Sequence, residues 1–124
     1  MIIGIGIDLV SIDSIAHWLD ADKKELYRYF SSQEAKLILE SPSPCESLAS
    51  HYGAKEAFGK ALGSGLKGIV LRDIEVLHDQ NGRPLLQLKG TAKALLDQQG
   101  DVNCFISLSH KGQYGIACVV LEKR

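Results

Sequence analysis

Asp8, Glu56 and Lys60 are the side chains in this sequence whose types and spacing suit chemistry best. Glu56 and Lys60 lie four residues apart in a segment of helical pattern, so they project from one face, with Lys55 beside Glu56. Asp8 ends a run in which isoleucine alternates with glycine. Two carboxylates and an ammonium form the kind of set that holds Mg²⁺ against a pyrophosphate. Mg²⁺ takes oxygen ligands, keeps several waters and uses one or two carboxylates plus substrate phosphates. An ammonium nearby offsets charge on a transferring phosphoryl group. Taken alone, the Glu56/Lys60 spacing fits equally well a solvated helical ion pair worth about 0.2–0.5 kcal/mol. Gly53 and Gly59 in the same segment each cost a helix about 1 kcal/mol relative to Ala. Close approach of a ligand, of another backbone or of a packed helix would offset that cost.

A second group stands near the C-terminus. Ile106-Ser107-Leu108-Ser109-His110-Lys111-Gly112 brings two hydroxyls, an imidazole and an ammonium to the end of an apolar strand. Such a loop binds phosphate, or it is simply a polar hairpin turn with Ser107 and Ser109 on one face. A Ser/His nucleophile pair lacks an orienting third residue and a nucleophile elbow. Gly4-Ile5-Gly6 lacks the third glycine of a dinucleotide-binding fingerprint, and no Walker-type loop is present. His17, His51 and His78 show no metal-ligand spacing, and core packing or exposure accounts for each.

These residues are expected to be positioned by one α+β domain spanning residues 1–124. Residues 2–8 read as a buried strand with Asp8 at its tip. A helix follows, with Ile12, Ile15, Ala16 and Leu19 on one face and Asp13 or Ser14 as its cap. A short helical segment follows over residues 24–30. Ser31-Ser32-Gln33-Glu34 has the form of a capping box opening a helix to about residue 40. Ser41-Pro42-Ser43-Pro44 breaks it. The longest helix spans 46–62 and ends on Gly63-Ser64-Gly65. Residues 73–78 and 84–89 flank Asn81-Gly82 as a hairpin, 91–99 form a short helix, and 104–109 with 114–121 form a second hairpin.

Composition narrows the function classes. Fourteen Lys and Arg against 15 Asp and Glu give a formal charge of −1, which supplies no general field for nucleic acid or an anionic membrane. The apolar run over residues 1–10 is broken by Gly4, Gly6 and Asp8 and has no basic flank, so it reads as neither signal peptide nor span. The expected location is the cytoplasm. Cys45, Cys104 and Cys118 lack a CxxC pair and are expected to be buried, reduced thiols. So short a chain buries a limited fraction of its surface, and oligomerisation is plausible.

Four segments in order resemble the holo-acyl-carrier-protein synthase family, the small bacterial 4′-phosphopantetheinyl transferases. They are Gly4-Ile5-Gly6-Ile7-Asp8-Leu9-Val10, Phe30-Ser31-Ser32-Gln33-Glu34, Lys55-Glu56-Ala57-Phe58-Gly59-Lys60-Ala61-Leu62-Gly63, and Ile106-Ser107-Leu108-Ser109-His110. The third is the most specific, and the set spans nearly the whole chain. The resemblance implies the α+β fold of that family, usually a homotrimer with active sites between subunits. It also implies dependence on Mg²⁺ and coenzyme A, with an apo acyl carrier protein of fatty acid biosynthesis or a more specialised pathway as partner. It makes Asp8 and Glu56 the metal carboxylates and Lys60 the phosphate-contacting cation. Gly63, Ser109 and His110 fall at coenzyme A positions, and Asn81-Gly82-Arg83-Pro84 resembles the turn that borders the adenine.

The implied reaction is attack of a carrier-protein serine on the β-phosphate of coenzyme A, releasing adenosine 3′,5′-bisphosphate. Glu56 or a water near Asp8 would take the serine proton. The chain departs from the family pattern at Ser14, Ser43 and His51, where arginines are common, which bears on carrier recognition and on the 3′-phosphate. The competing readings are a non-catalytic paralogue that binds coenzyme A or a carrier protein, and a structural subunit of a larger assembly.

Overall fold

A computed structural model describes the chain from Met1 to Arg124. In chain order the elements are β1 (Ile2–Ser11), α1 (Ile12–Ile15) with a 3₁₀ turn over Ala16–Leu19, α2 (Lys24–Tyr29), α3 (Ser32–Leu39) and α4 (Pro44–Leu62). After a 3₁₀ turn at Leu71–Asp73 come β2 (Ile74–His78), β3 (Pro84–Leu88), α5 (Gly90–Asp97), β4 (Val102–Lys111) and β5 (Tyr114–Lys123). One antiparallel sheet runs β1-β5-β4 and a second pairs β2 with β3, the α+β arrangement expected.

α4 lies on one face of the larger sheet and organises both parts of the core. Ala54, Ala57, Phe58 and Ala61 meet Ile74, Val76, Ala117, Val119 and Leu121. Nearer its start, Leu48 and Ala49 meet Val10, Ile12, Ile15, Leu26, Phe30, Ala35 and Ile38. Contact with β1 is unusually close. A Cβ on Gly4 would overlap the Ala61 carbonyl oxygen. One on Gly6 would overlap that of Ala57 and lie 2.7 Å from the Ala61 nitrogen. Only glycine lets the strand lie against the helix backbone here.

Several expectations change. β1 is not a buried strand: its glycine face meets α4, while Ile5, Ile7 and Leu9 on the other face are 62%, 57% and 62% exposed. It also runs to Ser11, so Asp8 lies inside the strand rather than at its tip. Ser11 is the N-cap position of α1, with no side-chain cap. Ser14 Oγ instead donates to the Ser11 carbonyl at 2.7 Å, because α1 spans only four residues before tightening to 3₁₀ geometry. The second large hairpin turns at Gly112-Gln113 alone, so His110 and Lys111 are the last residues of β4 rather than loop residues. The cysteines are free but only half-buried; burial pushes the Cys104 thiol up to about 12.

The capping box forms as read. Ser31 Oγ accepts from the Glu34 amide at 3.2 Å, and Glu34 Oε1 accepts from the Ser31 amide at 3.0 Å. Glu34 does more than cap. It is fully buried and receives Lys55 Nζ at 2.9 Å and the Val76 amide at 3.0 Å. Lys55, also fully buried, donates further to the carbonyls of Leu71 and Ile74 and stands 4.7 Å from the centre of the Phe30 ring. Desolvation raises Glu34 and lowers Lys55 from their ordinary values. Satisfied donors and acceptors are what make such a buried pair tolerable. The pair ties α3, α4 and β2 together, fixing the helix that carries Glu56.

Candidate active site

The glycine contact sets where Asp8 points. Gly4, Gly6 and Asp8 share one face of β1, so the strand that glycine brings against α4 also delivers the Asp8 carboxylate to that helix. There Lys60 Nζ donates to Asp8 Oδ1 at 2.8 Å and to the Ile7 carbonyl at 3.0 Å. The Asp8 carboxylate raises Lys60 above its ordinary value through hydrogen bonding and charge, so the ammonium stays protonated. Glu56 stands one turn before Lys60 on the same helix. The two acids therefore flank one lysine, although they are 48 positions apart in sequence.

Lys60 does not form the helical ion pair with Glu56 that the spacing allows, because Asp8 takes it. Glu56 Oε1 instead accepts from the Tyr52 hydroxyl at 2.8 Å. Burial first, then Glu56, pushes the Tyr52 phenol well above its ordinary value, so it remains a donor. Each acid thus has one oxygen held by a protein donor, while Asp8 Oδ2 and Glu56 Oε2 accept from no protein group. No cluster of three or more His, Cys, Asp or Glu side chains stands here. The chemistry of this donor set fits Mg²⁺: hard oxygens, two carboxylates, and the remaining positions left to water and phosphate. Three thiolates or imidazoles would have pointed to another metal.

A second group gathers on the other side of α4, toward the β4 edge. Gly82, Pro84, Ser109 and His110 line a cleft of about 370 Å³ together with Ser43, Glu46, Ser47, Ser50, His51 and His78 from the α4 and β2 side. His110 Nδ1 meets Glu46 Oε2 at 2.9 Å. Asn81 and Arg83 do not line this cleft. Their amides donate to Asp79 Oδ1 at 2.8 and 3.0 Å, which folds the turn and holds the Asp79 carboxyl below its ordinary value. Gly82 has φ +80°, a left-handed conformation suited to glycine. Gly63 lies in neither group. It ends α4 at φ +88°, while a Cβ on Gly59 would lie 2.6 Å from the Gly65 carbonyl carbon. The chain's own backbone, not a ligand, therefore explains Gly59.

His51 and His78, for which core packing or exposure was the expected account, meet each other. Their Nε2 atoms are 3.1 Å apart, and His51 Nδ1 lies 2.6 Å from the Ser47 carbonyl. A carbonyl only accepts, so Nδ1 carries the proton and Nε2 receives His78. Burial lowers His51 to about 4. It is therefore neutral near pH 7 and supplies no cation to the cleft. Sequence reading missed Tyr52, Glu46 and this histidine contact. A 52–56–60 ladder at helical spacing was visible for the first, whereas the others depend on tertiary approach.

The α+β arrangement is that of a 4′-phosphopantetheinyl transferase fold. The model of the 4′-phosphopantetheinyl transferase superfamily matches residues 4–119, and the chain belongs to that family. The holo-[acyl-carrier-protein] synthase of Treponema denticola is 45% identical over 98% of this chain and 99% of its own. The structure of the Neisseria meningitidis holo-[acyl-carrier-protein] synthase superposes with a TM-score of 0.86 at 32% identity, covering 99% of this chain and 100% of that one. The Bacillus anthracis enzyme, solved in complex with CoA (3′,5′-ADP), gives 0.82 at 31% identity over 100% and 99%.

Proposed function

We propose that this chain, acting as one transferase domain, moves the 4′-phosphopantetheine group of coenzyme A to a serine of an apo acyl carrier protein. The products are holo carrier protein and adenosine 3′,5′-bisphosphate, and the reaction depends on Mg²⁺. The observation that supports this reading is the Lys60–Asp8 contact, one helical turn from Glu56, in a chain of this family. In the reaction the serine oxygen forms a bond to the β-phosphorus while the bridging oxygen departs with its electron pair on the adenosine bisphosphate. The serine proton passes to a carboxylate or to water. Bound Mg²⁺ would be held by Asp8 and Glu56 and would offset phosphate charge. Lys60, exposed and held by Asp8, would pair with a phosphoryl oxygen. The cleft with Gly82, Pro84, Ser109 and His110 is the proposed seat of the nucleotide end.

The two groups lie on opposite sides of α4 in one chain, which favours a site completed between subunits. The exposed row Ile5, Ile7 and Leu9, joined across the sheet by Phe105 at 53% exposure, supplies an apolar face for that contact. A homotrimer burying this face is the proposed assembly. No helix is long and apolar enough to cross a membrane, and free cysteines suit the reducing cytoplasm. The carrier protein of fatty acid biosynthesis is the first substrate to test, although Ser14 and neutral His51 leave fewer cations for an acidic partner. Incubation with coenzyme A, Mg²⁺ and a panel of apo carrier proteins should add one phosphopantetheine to at least one of them. Coenzyme A binding with no mass gain on any carrier would point to the non-catalytic reading instead.

A further inference from the structure

Glu56 and Lys60 are four apart on one helix, in the order that favours a salt bridge between them. That bridge is absent: Glu56 Oε1 accepts from Tyr52, one turn back, and Lys60 reaches across to Asp8. Tyr52 is itself held. Trp18, the only tryptophan in the chain, meets its ring edge-on at 5.1 Å and an interplanar angle of 90°, and Tyr29 also lies 5.1 Å from Trp18. An aromatic stack from the 3₁₀ turn after α1 and from α2 thus ends in one hydroxyl aimed at Glu56.

We infer that Tyr52 is a positioning residue that draws Glu56 away from Lys60, so that the acid keeps one oxygen free for a divalent cation and the lysine stays on Asp8. The inference rests on the reading of Glu56 as a metal carboxylate. Without the hydroxyl, the nearest strong donor along the helix face is the Lys60 ammonium. Glu56 would swing onto it, occupying its own free oxygen and weakening the Lys60–Asp8 contact. One lost hydrogen bond would thereby disturb all three groups. Outer groups that orient metal ligands typically govern affinity by about 10–100-fold.

The test is Mn²⁺ binding followed by electron paramagnetic resonance on the whole protein, with saturating coenzyme A, no carrier protein, and a protein-free control. Tyr52→Phe keeps the ring against Trp18, so its melting temperature should match the wild type, while Mn²⁺ affinity falls about tenfold. In a Lys60→Met background the same substitution should cost less than about threefold, because the competing ammonium is gone; such coupling is what a double-mutant cycle isolates. A merely structural tyrosine would not show this dependence on position 60. Wild-type affinity in Tyr52→Phe, or an equal loss in both backgrounds, overturns the inference. Separately, if Glu56→Gln binds Mn²⁺ as tightly as the wild type, Glu56 is not a ligand, and the inference falls with that reading.

Discussion

Replacing Gly6 with alanine tests whether the site depends on how closely β1 lies against α4. The new methyl would overlap the Ala57 carbonyl oxygen and lie 2.7 Å from the Ala61 nitrogen. Both are helix backbone atoms, which no change of rotamer can move. The strand must therefore lift, and overpacking of this kind costs about 1–3 kcal/mol, here toward the upper end. Asp8 is two residues further along the same face, so it lifts too, away from Lys60 and Glu56. A misplacement of about 1 Å at a reacting centre can cost 10²-fold in rate. Urea denaturation and the transfer rate should therefore both fall in Gly6→Ala. Gly53→Ala is the control on the same helix. Its Cβ would lie 3.4 Å from Val10 Cγ2, an ordinary contact, and alanine favours a helix by up to about 1 kcal/mol. That variant should be neutral or stabilised, with its rate intact. Wild-type stability and rate in Gly6→Ala, or equal damage from Gly53→Ala, would refute the reasoning.

Three further outcomes follow from the same structure. Lys55→Met strands the buried Glu34 carboxylate, and loss of one partner from a buried pair typically costs about 3–5 kcal/mol, readable as a lower urea midpoint with an unchanged slope. His51 binds its proton at about 4 when folded against an ordinary 6.5. The unfolded chain therefore takes up more protons between those values, and stability is lost as pH falls from 6.5 toward 4. That loss amounts to about 3 kcal/mol at most. His51→Phe should flatten this part of the stability profile, and an unchanged acid slope would count against burial as its cause. Ile7→Glu places a charge in the exposed apolar row and should convert the proposed trimer to monomer in light scattering; a wild-type mass would mean that this face is not the contact.

Local rules carried much of the fold. The Ser31/Glu34 box and the glycine at the end of α4 each describe a few neighbouring residues and formed as read, whereas Pro44, read as part of the break, opens α4 as its first residue. Long-range features were legible only as residue types. Isoleucine alternating with glycine reads as a buried strand when isoleucine is assumed to face the core, whereas here the glycines face the helix and the isoleucines face out. Lys55 looked like a neighbour of Glu56, yet it belongs to Glu34, which lies 21 positions earlier. Asp8 and Glu56 were chosen for their chemistry and by resemblance. Their approach to one lysine depends on how closely a strand and a helix pack, and no local pattern encodes that distance. The Tyr52 hydroxyl was overlooked because an aromatic residue on a helix reads as packing until its acidic neighbour is found without another donor.

Intact-mass analysis of an apo acyl carrier protein incubated with coenzyme A and Mg²⁺ puts the account to its most direct trial, with wild-type enzyme set beside a Glu56→Gln variant of equal melting temperature. The wild type should add one phosphopantetheine per carrier and release adenosine 3′,5′-bisphosphate in step, while the variant should be slower by about a hundredfold or more. Equal rates for the two proteins, or an unmodified carrier with the wild type across every carrier protein of its host, would contradict it.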